Sequence, residues 1–205
     1  MLERASFGIK PDKPLVVFVG RSNVGKSTVI RALTGAKVRV GKRPGTTRRE
    51  VMIDAGSVTI VDFPGFGHMT GQSKKSIEKT KSDIVESLER WSKRIVLSVL
   101  VIDIAMFPQL VERWESRGEI PIDLEFYDFL LEVSRAVLIV ANKTDKIGRA
   151  DLTEAVALLR ERTKKAAGQE PLIIETDASR RLGLDRLKIA IEDVLRCQAI
   201  ALPTW

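Results

Sequence analysis

Apolar residues gather along this chain in five short β-branched runs: LVVFVG (15–20), VTIVDF (58–63), IVLSVLVID (95–103), AVLIVAN (136–142) and LIIET (172–176). Runs of this length suit strands covered on both faces, as in a parallel sheet between helices. The intervening segments space apolar residues by three and four, which predicts helices over 26–34, 75–91, 124–133, 151–167 and 184–200. REVMID (49–54) precedes AGS and then the 58–63 run, the spacing of a hairpin, so a sixth strand is expected to form an antiparallel edge. Strands alternating with helices imply a three-layer α/β fold with a mostly parallel six-stranded sheet. The stretch 104–121 is the least regular and is expected to be an insertion on the rim. No repeat, linker or low-complexity tract interrupts the pattern. A short arm (1–13) and one domain (14–205) are expected.

Composition changes this picture little: 44% apolar and 30% charged residues are ordinary for a globular chain able to bury a full core. The single cysteine, Cys197, excludes an intramolecular disulfide or a cysteine-rich metal site and points to a reducing compartment. Residues 1–10 lack the apolar centre of a signal peptide. The longest strongly apolar stretch, 95–102, is too short to span a bilayer. A cytoplasmic protein with no membrane partner is expected.

Charge adds more. The net charge is +7, which attracts nucleic acid or an anionic surface unless it is only a solvated coat. It is sided: Lys37, Arg39, Lys42, Arg43, Arg48 and Arg49 crowd 37–49 without an acidic neighbour. Glu112, Glu115, Glu119, Asp123, Glu125, Asp128 and Glu132 make 112–132 acidic. That separation suits a directional docking surface.

Candidate chemistry begins behind the first strand. Gly20, Arg21, Ser22, Asn23, Val24, Gly25, Lys26 and Ser27, followed by Thr28, match a phosphate-binding loop between a strand and a helix. Backbone N–H groups and the helix N-terminus hold the β-phosphate. Lys26 reaches the β/γ oxygens as a point charge, and the Ser27 hydroxyl ligates Mg²⁺. ANKTD (141–145) follows the fourth buried strand at the same sheet edge. The Asp145 carboxylate can accept from N1–H and N2–H of guanine, whereas adenine would leave it unpaired. Such a mismatch discriminates by on the order of 10⁴-fold. Asn142 tethers the loop and contacts the purine, the Lys143 stem covers the ring, and Thr144 lies between them and Asp145. In VDFPGFGH (61–68), Asp62 holds Mg²⁺ through water. Phe63 and Pro64 lead to Gly65, whose N–H senses the third phosphate. RPGTTRR (43–49) supplies Gly45, Thr46, Thr47, Arg48 and Arg49 to the other nucleotide loop, with Thr47 rather than Thr46 on the metal. Asp177, Ala178 and Ser179 of ETDAS complete the base pocket through backbone groups. The metal set is thus Ser27, Thr47 and Asp62, and the expected ligands are GTP and GDP.

GRSNVGKS, PGTTR, DFPGFG, NKTD and TDAS, in this order, resemble the TrmE–Era–EngA–EngB group of P-loop GTPases. Within it the chain is most similar to the EngB family, whose members are essentially one Ras-like G domain. Its second loop reads PGTTR where that family usually has PGRTQ. The resemblance implies a GTPase acting in assembly of the large ribosomal subunit, with its rRNA and proteins as partners; a monomer is expected.

Many GTPases carry a water-orienting glutamine after the glycine of this loop; here it is Phe66, so slow intrinsic turnover is expected. In related GTPases an asparagine at the position of Asn23 helps hold K⁺ against the phosphates, where it neutralises developing charge. Alternatively, Asn23 only caps its own loop. The candidate catalytic set is therefore Lys26, Asn23 and Gly65. His68 is a general base or, more simply, a solvent-facing loop residue. Cys197 is expected in the core, and Trp91, Trp114 and Trp205 as packing residues. The competing reading is a regulatory GTP switch that recruits a protein or an anionic surface, with hydrolysis incidental.

Overall fold

The computed structural model describes residues 13–35, 50–67 and 74–205. Its elements in chain order are β1 (Leu15–Val19), α1 (Lys26–Thr34), β2 (Val51–Ala55), β3 (Val58–Asp62), α2 (Lys74–Trp91), β4 (Ile95–Asp103), α3 (Phe107–Glu115), α4 (Ile122–Val133), β5 (Val137–Asn142), α5 (Arg149–Ala167), β6 (Leu172–Thr176) and α6 (Leu184–Cys197). One six-stranded sheet runs β2-β3-β1-β4-β5-β6. Among the described strands only the β2–β3 pair is antiparallel, as the hairpin spacing predicts.

The two-residue period of each strand decides which layer it feeds. Val17 and Val19 of β1 pack with Ile84 and Leu88 of α2, Leu130 of α4 and Leu159 of α5 on one face. Val16 and Phe18 pack with Val29 and Ile30 of α1 and Leu187, Ile191 and Leu195 of α6 on the other. Every residue of β4 from Ile95 to Ile102 is buried, which explains its unbroken apolar run. The edge strand β6 instead exposes Leu172.

Two expectations fail. The stretch 104–121 contains a regular helix, α3, whose Phe107 and Val111 are buried one turn apart. Phe107, Leu110, Val111 and Trp114 have helical i, i+3, i+4, i+7 spacing, obscured by Pro108 and the charges at 112, 113 and 115. Cys197 is exposed rather than in the core. The apolar stripe of α6 runs through Leu184, Leu187, Ile191 and Leu195, and two residues further on the helix has turned Cys197 to solvent.

Five parallel strands end at one edge of the sheet, so Gly20, Asp62, Asp103, Asn142 and the segment after Thr176 lie at that edge. β1 is flanked by β3 and β4, with α1 packed on one face and α2 on the other, and ligands bind at such a switch in open α/β sheets. No described helix is long and apolar enough to cross a membrane.

Candidate functional site

The loop after β1 bends through Gly20 (φ 151°) and Asn23 (φ 68°) and enters α1 at Gly25 (φ 99°). A Cβ on Gly20 would lie 2.3 Å from the Val101 carbonyl oxygen, and one on Gly25 would lie 2.5 Å from Asn142 Nδ2. Glycine is required at both points by backbone angle and by space. Inside the loop Lys26 is buried, its Nζ donating to the carbonyls of Gly20 at 3.2 Å and Arg21 at 3.4 Å. Burial pulls its ammonium down to about 8, against the stabilising charge of Asp62. A phosphate entering the cradle would meet this ammonium and the N–H groups opening α1, with Thr28 in its first turn.

At the adjoining end of β3, Ser27 Oγ donates to Asp62 Oδ2 at 2.5 Å. Asp62 Oδ1 is buried without a hydrogen-bond partner among the described residues. Burial raises the Asp62 carboxyl, opposed by the Ser27 hydrogen bond and the Lys26 charge. A hydroxyl and a carboxylate with an unsatisfied oxygen are hard donors that fit Mg²⁺, which takes one or two protein groups and completes its shell with water and phosphate oxygens.

After Asp62 the chain folds back onto the phosphate loop. Phe63 N donates to Phe18 O at 3.1 Å, Phe66 N to Gly20 O at 3.3 Å, and Ser22 N to Phe66 O at 2.9 Å. Ser22 Oγ donates to the Gly65 carbonyl at 3.1 Å. A Cβ on Gly65 would stand 2.6 Å from Ser22 Cα, so this close approach needs glycine. The Phe66 ring is buried and stacks on Phe126 of α4, while Phe63 packs against Trp91. Pro64 lies between these anchors.

The third segment is joined to the first by Asn142. Its Nδ2 donates to Val24 O at 2.8 Å, and its Oδ1 accepts from Thr176 Oγ1 at 3.0 Å and from Ala178 N at 3.2 Å. One carboxamide thus fastens the phosphate loop, the NKTD turn and the TDAS turn. Lys143 is left-handed (φ 67°) and opens a short 3₁₀ turn, Thr144–Lys146, which carries Asp145. Asp177 Oδ1 accepts from Ser179 N, Ser179 Oγ and Arg180 N, which shapes the TDAS turn from within.

The structure therefore brings together the candidates from Gly20 to Thr28, Asp62 to Gly65, Asn142 to Asp145 and Asp177 to Ser179. Gly45, Thr46, Thr47, Arg48, Arg49, His68 and the other basic residues of 37–49 lie outside the described residues. Three side chains were given no site role by the motifs. Asp103 pairs with Lys143 at 2.6 Å. Asp123 faces Arg21 at 3.7 Å and is buried, so it does not belong to the acidic surface expected over 112–132. Thr176 donates to Asn142. Asp103 had a signal, a carboxylate ending a buried strand at the sheet edge of the other motifs.

Comparison with known proteins agrees with this geometry. The family described as 50S ribosome-binding GTPase matches residues 15–143. The probable GTP-binding protein EngB of Pyrococcus horikoshii is 43% identical over 182 residues, 88% of this chain and 83% of that protein. The EngB of Methanosarcina barkeri is 49% identical over 136 residues, 66% of this chain but 65% of its own length. A crystal structure of a probable GTP-binding protein EngB superposes with a TM-score of 0.79 at 42% identity, covering 89% of this chain and 98% of that one. With a family model matching residues 15–143 and an EngB relative 43% identical over 88% of it, the chain belongs to the EngB family of P-loop GTPases.

Proposed function

We propose that this protein binds GTP and GDP with Mg²⁺, hydrolyses GTP slowly, and works as a nucleotide-dependent switch in assembly of the large ribosomal subunit in the cytoplasm. The observation that carries the nucleotide reading is the junction at Asn142, where three loops far apart in sequence meet around one carboxamide. The ribosomal reading draws on the 50S ribosome-binding family description and on the sided positive charge.

Each residue has a task in this reading. N–H groups from Asn23 to Thr28 and the α1 N-terminus bind the β-phosphate. Lys26 exchanges its two carbonyl partners for phosphate oxygens. Ser27 and Asp62, with Thr47 from the second loop, would hold Mg²⁺, which would supply positive charge against the phosphates. Gly65 offers its N–H to the γ-phosphate, and Asp145 selects guanine. Phe66 cannot orient water, so the hydrolysis rate depends on groups brought from elsewhere. Asn23 is exposed, and its side chain has no hydrogen bond among the described residues. Its carboxamide is thus available to a K⁺ ion, while its left-handed backbone (φ 68°) also suits an asparagine that shapes the loop. Arg43, Arg48 and Arg49 adjoin Thr47 in sequence and would link RNA affinity to the state of that loop.

Co-sedimentation with purified large ribosomal subunits tests the proposal, comparing a non-hydrolysable GTP analogue with GDP at near-physiological salt. Binding with the analogue and release with GDP is the expected result. Equal, weak binding in both states, lost with modest added salt, would leave a nonspecific basic surface and shift attention to a protein partner.

A further inference from the structure

The base-binding turn is braced from a strand that carries none of the nucleotide motifs. β4 ends at Asp103, directly opposite Asn142 in the β4–β5 register, and Ile104 N donates to Asn142 O at 3.0 Å. From this position Asp103 Oδ2 accepts from Lys143 Nζ at 2.6 Å. Its other oxygen is buried without a hydrogen-bond partner among the described residues, so Lys143 is the group that compensates this carboxylate. Lys143 is constrained twice, at its Nζ by Asp103 and at its backbone by a left-handed conformation unfavourable for a residue with a Cβ.

We infer that Asp103 is a positioning residue for base recognition, holding the Lys143 side chain outstretched so that its methylene stem forms a preset wall for the purine. This rests on the guanine reading of the NKTD turn. A free lysine carries about 2 kcal/mol of rotamer entropy. An ion pair that restrains the side chain before the ligand arrives removes part of that cost from binding. Asp103 touches neither phosphate nor base in this arrangement. Its effect passes through Lys143 alone and concerns the base half of the nucleotide.

A double-mutant cycle separates this role from general support of the fold. GDP affinity is measured at saturating Mg²⁺ for the wild type, Asp103→Asn, Lys143→Met and the double variant, with inorganic pyrophosphate as a ligand that lacks a base and ADP as a control for guanine selection. Asp103→Asn is expected to weaken GDP roughly five- to twentyfold, a range set by partial loss of this preorganisation. It should leave pyrophosphate unchanged and have no further effect once Lys143 is Met. Asp103→Glu, which keeps the charge, should recover part of the loss. Additive losses, equal weakening of pyrophosphate, or GDP affinity that is unchanged or tighter in Asp103→Asn would each overturn the inference while leaving the guanine reading intact. A wild type that binds ADP as well as GDP would overturn the guanine reading, and this inference with it.

Discussion

Phe66 and Phe126 lie face to face, their ring centroids 4.0 Å apart and their planes 6° from parallel. The residue that would orient water in many GTPases is thus an anchor, holding the loop after β3 against α4. Replacing Phe66 with Gln would put an amide into the apolar cluster that holds this ring. Phe66→Gln is therefore expected to lose about 2 to 4 kcal/mol of stability with no gain in GTP turnover. Urea unfolding and phosphate release measure the two, and faster turnover in the variant would contradict the anchoring role.

Lys26 gives nucleotide binding a pH dependence. Burial brings its ammonium down to about 8 in the nucleotide-free protein, and phosphate binding favours the protonated form. The free protein therefore takes up a proton on binding above pH 8, and affinity falls as pH rises. GDP affinity should drop roughly five- to tenfold between pH 7.5 and 9. Lys26→Arg does not titrate there and supplies the baseline against which the guanine base's own ionisation cancels. Parallel profiles for the two proteins would count against the assignment.

Gly65 and Ser22 are too close for any side chain at position 65. Gly65→Ala should part the two loops at the place where a γ-phosphate would be sensed. GDP affinity is expected to stay within about threefold, while a non-hydrolysable GTP analogue weakens tenfold or more, roughly the loss of one charge-assisted hydrogen bond. Calorimetric titration with both ligands decides the matter. Equal losses would mean that Gly65 serves only the shape of the phosphate loop.

The Asp123 carboxyl is pushed up to about 6 by burial, against the opposing charge of Arg21. Because the folded value exceeds the unfolded one, the folded state binds this proton more tightly. Ionising Asp123 as pH rises through 6 therefore subtracts stability. Relative to Asp123→Asn, the wild type should gain about 1 kcal/mol on going from pH 7 to pH 5. Denaturant titrations at both pH values test this, and a constant difference would show that Arg21 fully compensates the charge.

How far the sequence was legible depends on the range of the interaction concerned. The strands were readable because burial on both faces imposes unbroken runs such as that of β4. The phosphate loop was readable because its chemistry lies within nine consecutive residues. Helix α3 was misread although Phe107, Leu110, Val111 and Trp114 carry the helical period, since proline and alternating charge mask it. Cys197 lies off the α6 stripe because, two residues beyond Leu195, that helix position faces solvent. The pairings of Arg21 with Asp123 and Lys143 with Asp103 depend on how distant strands and helices register, which local pattern does not contain. Phe66 shows the boundary well: its inability to orient water follows from its identity, but its stacking partner follows only from the fold.

The Asn142 junction also bears on when the molecule becomes competent during synthesis. Val24 emerges early, yet its loop is not fastened until Asn142 has been made, and the base turn is not complete until Thr176 and Ala178 follow. A nascent chain halted before β6 would carry an intact phosphate-loop sequence but only an unfinished pocket. The three loops are therefore tied together only in a chain whose sheet has closed, β6 included.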